Sequence, residues 1–406
     1  MESTMNRPIP TRAQALPRRF WRPAAALVAA AALAACGGGG GGDDDSAASD
    51  AGVFASGVIH GFGSIVVNGV RYDDSTARVS TEGGDTWSSD DLRLGMVVDV
   101  QAGAASTDAS GQSRATASSV VVRSEVEGPV QALDTTAGTL TVLGQKVLVN
   151  GSTVWDDDLR AKLAALSVGD IVEIYGLRDA DGTIVASRVD REDADEDDYE
   201  LRATVDAVDS AAGTLSVGGL DIAWAGTWPA GLAAGSPVLL VLDTRPAADG
   251  RWTARTLKLL GSTAASGARA EIEGLVTAWT SSTSFRVAGV AVDASGLSSV
   301  PAGLAAGVRV EVEGVFADGT LVASRIEIER GDDRGDDDGL EIEGTIESLD
   351  SAAATLVLRG VTVDWSGARF EDGSAAALAV GARIEVQGTL ADDGSTLRAV
   401  EIEFER

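Results

Sequence analysis

A lone histidine, a carboxylate that returns at a fixed place and three tryptophans are the residues here whose types and spacing could do chemistry. His60 is the only histidine among 406 residues. A Ser-His-Asp triad or a zinc site would have to be built around it. It sits in a polar slot of a β-rich segment, where later copies of that segment carry Gln131, Asp206, Thr277 and Glu347. That slot is expected to face outward. His60 is therefore read as a surface residue, and no catalytic residue, metal ligand or cofactor is assigned to the chain.

The recurring carboxylate is Asp99, Glu173, Glu311 and Glu385, each between two apolar residues. On a strand, alternation places such a residue on the solvent face. A cross-strand arginine such as Arg188 or Arg325 is its expected partner. Glycosidase chemistry needs two acids in one cleft, whereas this acid comes once per copy. Trp155, Trp224 and Trp365 fall at or just after a third strand. Such a Trp is expected to close one end of a small core, and its alternative use is stacking on sugars. The acidic runs Asp190 to Glu200 and Asp332 to Asp338 could hold calcium, but neither fits the twelve-residue calcium loop, so they are read as solvated linkers.

The elements that must position these residues are repeated. Leu-x-x-Gly-x-x-Val/Ile-acid-Val/Ile reads Leu92…Gly95…Asp99, Leu166…Gly169…Glu173, Leu304…Gly307…Glu311 and Leu378…Gly381…Glu385. A further copy, Leu232…Gly235…Leu239, has lost the acid. Self-similarity at a fixed period means one structural unit copied along the chain. An upstream small residue keeps the same period: Gly57, Gly128, Ala203, Gly274 and Gly344. Two residues on is a β-branched side chain, Ile59, Val130, Val205, Val276 or Ile346. Three further on is a large apolar one, Phe62, Leu133, Val208, Trp279 or Leu349. That odd spacing predicts a bend or bulge in the first strand.

Within the second repeat the pattern predicts strands over 125–133, 139–143, 146–149, 170–177 and 183–189, with a hairpin turn at Gly144-Gln145. Asp156 to Leu166 is the one candidate short helix. Three strands, a short helix or loop and two strands match the oligonucleotide/oligosaccharide-binding (OB) fold, a five-stranded Greek-key barrel with a helix after strand three. The fold class is therefore all-β: five tandem small OB-like barrels after a signal segment and tether. Expected boundaries are 54–124, 125–193, 200–261, 270–331 and 340–406. Each unit is near the size at which one core is marginal, so neighbours are expected to stack partially, as beads on a string. Repeats one and two join without a linker.

The N-terminus reads as an export signal over residues 1–35. Arg7, Arg12, Arg18, Arg19 and Arg22 precede an apolar run, Ala24 to Ala35, too short to span a bilayer. The run ends Leu33-Ala-Ala-Cys36, which resembles a bacterial lipobox, and the resemblance implies lipid attachment at Cys36. Residues 36–53, rich in glycine and aspartate, would be a flexible tether. Gly37 after the cysteine implies, by analogy with Gram-negative lipoproteins, the outer membrane, with the protein facing periplasm or exterior. The whole chain is −30; without residues 1–35 it has 27 bases against 61 acids, or −34. Such a surface repels nucleic acid.

The stretches Gly57-Val-Ile, Ser64-Ile-Val-Val-Asn68-Gly69-Val70 and Leu92-Arg-Leu-Gly95-Met-Val-Val98 resemble a bacterial family, domain of unknown function 5666. The likeness is best in repeats one, two, four and five and spans most of 54–406. It implies tandem small β-barrels in exported, lipid-anchored proteins and brings no activity with it. The functional expectation is a non-enzymatic, lipid-anchored cell-envelope protein acting as a multi-barrel spacer or binding scaffold. Its partners would be the membrane, through the lipid, and envelope proteins or glycans. The alternatives are a glycan-binding protein using barrel-face aromatics and a calcium-stabilised surface protein.

Overall fold

The computed structural model describes residues 52–107, 112–159, 161–194, 196–261, 264, 266–329, 340–391 and 393–404. Cys36, the signal and most of the tether therefore lie outside the described residues, as does the acidic run 332–338.

Repeat one shows the plan. Its first strand (Val53–Phe62) pairs antiparallel with Ile65–Val67, and that strand with Val70–Asp73. Val70–Asp73 runs parallel to the last strand, Ser113–Arg123. The last strand is antiparallel to Val97–Ala102, which returns to Val53–Phe62 and closes the ring. This is the closed circuit of an OB-like barrel. The same pairings recur in repeat two, repeat three, repeat four and repeat five. In repeat three the first strand is broken, Asp198–Thr204 and then Ala207–Asp209. The expected helix is absent: among the described residues there is no α-helix. Asp156 to Leu166 instead holds two 3-10 turns, Asp157–Leu159 and Lys162–Ala165.

The bend predicted from the odd spacing is a bulge at the polar slot itself. Register shifts fall between Ile59 and Gly61, Val276 and Ala278, and Ile346 and Ser348, and opposite Val130 and Ala132 in repeat two. The extra residues are thus His60, Thr277, Glu347 and Gln131. In three repeats this bulged side chain accepts a hydrogen bond from the glycine N–H of the following hairpin turn: Gly144 to Gln131, Gly289 to Thr277 and Gly360 to Glu347. The turn itself lies one residue earlier than expected, at Leu143-Gly144. Both residues have positive φ, 43° and 71°, the backbone twist that a two-residue hairpin demands.

A second bulge, in the fourth long strand, falls at Tyr175/Gly176, Glu313/Gly314 and Gln387/Gly388. A Cβ on Gly176, Gly314 or Gly388 would run into the carbonyl of Val185, Val322 or Arg398 on the neighbouring strand. Repeats one and three carry Ala102 and Leu242 at the corresponding shift, so close approach rather than the bulge requires glycine. Gly314→Ala is expected to cost about 2 kcal/mol through this overpacking, whereas Gly319→Ala meets no neighbour within 4 Å and suffers only from its φ of +80°. Thermal melts of the two variants check this. Equal losses would mean that the approach at Gly314 relaxes freely.

The barrels do not follow one another as beads. The first strand of repeat one also pairs in parallel with repeat four, Val53↔Arg269 to Ser56↔Ile272, and with repeat five, Gly61↔Glu341 and Phe62↔Ile342. Repeat two pairs with repeat three at Leu201↔Val126. Cores merge accordingly. Phe54 of repeat one is buried in the core of repeat four, edge-on to Phe316 with ring centroids 6.3 Å apart. The cores of repeats one and five form one cluster and those of two and three another. Each barrel alone encloses few side chains, and sharing a core across an interface enlarges the apolar area removed from water. As expected, repeats one and two join almost directly, with only Ser124 and Glu125 between their strands.

Candidate functional site

The residue singled out as a bland surface histidine lies at a junction of four repeats. His60 is the bulged residue of its strand, and its outer face is turned toward repeat four. Its Nε2 sits 3.8 Å from Oε2 of Glu273, with the His60 side chain 37 % exposed and that of Glu273 5 %. Glu273 lies on the first strand of repeat four (Arg269–Ser281). Its Oε2 accepts from the Val58 backbone N–H at 3.1 Å and its Oε1 from Arg309 Nε at 2.5 Å. Arg309 opens the fourth strand of that repeat (Arg309–Ala317). Burial opposes the Glu273 charge, but Arg309, His60 and the Val58 N–H outweigh it and hold the carboxyl down at about 2. Glu329 follows the last strand of the repeat. Burial first, and then Glu273, raises its pKa.

His60, Arg309 and Glu329 edge a cleft of about 690 Å³, and Glu273 touches the first two of them. Its apolar wall includes Leu94 of repeat one, Val154 and Leu177 of repeat two, Leu275 of repeat four and Leu340 of repeat five. Asn150 and Ser152 lie on its rim. Asn150 caps its own turn by accepting from the Ser152 N–H at 2.8 Å. The cleft is formed by docked barrels, so it exists only while they stay docked. Nearby contacts hold repeats one and two together: Ser187 Oγ donates to Gly95 O at 2.6 Å and Arg188 Nη1 to Leu94 O at 3.2 Å. Glu82, Glu125, Arg178 and Arg202 form a chain of ion pairs through repeats one, two and three.

The recurring acids are not on a solvent face. Asp99 and Glu173 are both buried; Glu311 and Glu385 are half-buried. Asp99 pairs with Arg123 at 2.5 Å. The others stand in rows of acids: Glu173 is level with Glu127 and Asp190, Glu311 with Glu273 and Glu327, and Glu385 with Glu343 and Glu403. The expected arginine partners are engaged elsewhere, Arg188 with Asp190 and Arg325 with Glu313 and Glu327. Alternation fixes which face of a strand a residue takes. It does not say what covers that face, and here neighbouring strands and barrels do. Desolvation and like charge raise three acids of these barrels: Glu127 well above its ordinary value, Glu271, which faces Glu313, to about 7 and Glu311 to about 9.

The tryptophans close cores as expected: Trp155 is buried, and Trp224 and Trp365 are half-buried against their clusters. Among the described tryptophans the exposed one is Trp279, stacked on Phe285 with centroids 5.8 Å apart. In the acidic run after repeat two, Asp190 and Asp198 pair with Arg188 and Arg255. Among the described residues no group of three or more His, Cys, Asp or Glu is arranged to hold a metal.

Glu273, Arg309 and Glu329 are functional candidates that motif reading passed over. The signal for the first two was present. The dipeptide Glu-Gly recurs as Glu127-Gly128, Glu273-Gly274 and Glu343-Gly344. Two of those glutamates pair with an arginine two residues after the signature glycine, Glu273 with Arg309 and Glu343 with Arg383.

Comparison with known families agrees with the repeats. The domain of unknown function DUF5666 matches residues 127–190, 273–327 and 343–403, which lie in repeats two, four and five. No curated protein matches the chain.

Proposed function

We propose that this chain, three of whose repeats match a domain family of unknown function, is a non-enzymatic, lipid-anchored protein of the cell envelope. It acts as a rigid multi-barrel scaffold that holds a binding surface away from a membrane. The observation that carries this reading is the strand pairing of repeat one with repeats four and five, sequence-distant barrels that share core and ion pairs. A scaffold of this kind presents fixed geometry, which a string of independent beads does not. Neither the all-β body nor the family match points to a particular chemistry, and Glu273, held at about 2 beside the cleft, is saturated by structural hydrogen bonds. The lipobox resemblance at Cys36 and the following tether support an anchor in the outer membrane, with envelope proteins or glycans as partners.

The test is metabolic labelling of the full chain with an alkyne fatty acid in a Gram-negative host. Label is expected on the wild type and absent from Cys36→Ser, with the wild type in the outer-membrane fraction. Equal labelling of both proteins would refute the anchor. Trp279 favours the glycan reading as the second one: its stacked, exposed ring would show fluorescence quenching by envelope sugars.

A further inference from the structure

The cleft at the junction of repeats one, two, four and five has the size of a small-molecule site, about 690 Å³. Its wall is mostly apolar, so an apolar body entering it would release water from several repeats at once. Its charged edge is unequal. Arg309 is neutralised by Glu273, whose two oxygens are taken up by Arg309 on one side and by Val58 N–H and His60 on the other. Glu329 lines the same cleft next to Arg309, its backbone N–H donating to Arg309 O at 2.9 Å, and so brings a second carboxylate to that edge. An anion would meet Glu329 unfavourably. A neutral ligand would leave it partly desolvated with no new partner. A cation would meet it directly, and the −34 of the exported chain concentrates cations near the surface.

We propose that this cleft binds an organic cation with an apolar body, an alkyl- or cycloalkyl-amine, with its ammonium group at Glu329 and its apolar part against Leu94, Val154, Leu177 and Leu275. The site goes beyond the scaffold reading and does not depend on Cys36 carrying lipid.

The probes are three molecules of one shape: cyclohexylmethylamine, cyclohexylmethanol and cyclohexanecarboxylate. Each is titrated calorimetrically into the full chain carrying Cys36→Ser, without detergent. The amine is expected to bind at least tenfold more tightly than the alcohol, and the carboxylate not detectably. Glu329→Gln should bring the amine down to the level of the alcohol, while Asp221→Asn, an exposed acid outside the cleft, should leave the preference intact. Val154→Trp, which fills the cleft, should abolish binding of both amine and alcohol. Equal binding of all three probes overturns the proposal. So does an amine preference that survives Glu329→Gln, because it would then come from the net charge alone. A lost anchor with an intact amine preference would refute the lipid reading and keep the site; the converse would refute the site alone.

Discussion

Glu273→Ala is expected to destabilise the protein by about 4 kcal/mol, among the largest single losses available in the chain. The carboxylate is nearly inaccessible and makes three contacts, Arg309, the Val58 N–H and His60. Removing it strands a buried backbone donor and leaves the Arg309 charge without its partner, and the desolvation of such groups dominates the cost. Two of the contacts come from repeat one and the third from repeat four, so the substitution should also loosen the docking of those barrels. Glu273→Gln keeps the shape and loses the charge, and about half the loss is expected. The pKa of Glu273 is depressed, from 4.5 to about 2. Its contribution is therefore fully present above pH 4.5 and is lost as pH falls toward 2. That contribution is about 3 kcal/mol. Denaturant melts at pH 7 and at pH 3 check both points. The gap between wild type and Glu273→Gln should narrow at pH 3, and a constant gap would show that the carboxylate is not ionised in the way its contacts require.

The architecture was legible where it depends on side-chain period and illegible where it depends on what lies beyond the strand. Alternation placed the hairpin strand at 139–143, and it runs Thr139–Val142. The odd spacing from Ile59 to Phe62 announced a bulge, and the bulge is there. Both are local consequences of the two-residue repeat of a pleated strand. The hairpin turn was misplaced by one residue because Leu143, unlike Asn68 in the matching turn of repeat one, carries no sequence mark of a left-handed backbone. The helix expected over 156–166 rested on composition, and the short span closes with 3-10 turns instead. Partnering across barrels was the largest gap. Phe54 reads as one more apolar residue of a first strand, yet it is buried in repeat four. His60 reads as a polar residue facing water, yet its water-facing side meets Glu273. Repeated sequences describe the unit, and the differences between copies describe the docking. Ser56 and Arg202 stand where the other repeats carry Glu127, Glu273 and Glu343, and both make inter-strand or inter-repeat bonds.

Stability should peak near pH 5 and fall as pH rises toward 9, because several acids are held above their ordinary range. Burial is the first cause at Glu200, raised to about 8, followed by Glu173, Asp85 and Asp198. Burial and then Glu271 and Glu329 raise Glu311 to about 9, and Glu271 itself stands at about 7. A raised folded-state pKa means the protonated form is favoured by folding. Its stabilisation is fully present below about 4.5 and is lost as pH climbs through the folded value. The loss from these groups therefore falls between pH 5 and 9, opposite in sign to the acid-side loss at Glu273. Glu311→Gln should remove about 2 kcal/mol of that alkaline loss, since an amide opposite Glu273 and Glu327 in the register adds no like charge. The variant is then expected to melt higher than wild type at pH 8.5 and to match it at pH 5. Adding salt should raise the wild-type melting temperature at pH 8.5 and affect the variant less, because screening weakens repulsion among the half-buried carboxylates. A variant that melts lower than wild type at both pH values would show that Glu311 makes a favourable contact in its charged form, and the acid rows would then have to be read as paired rather than repelling.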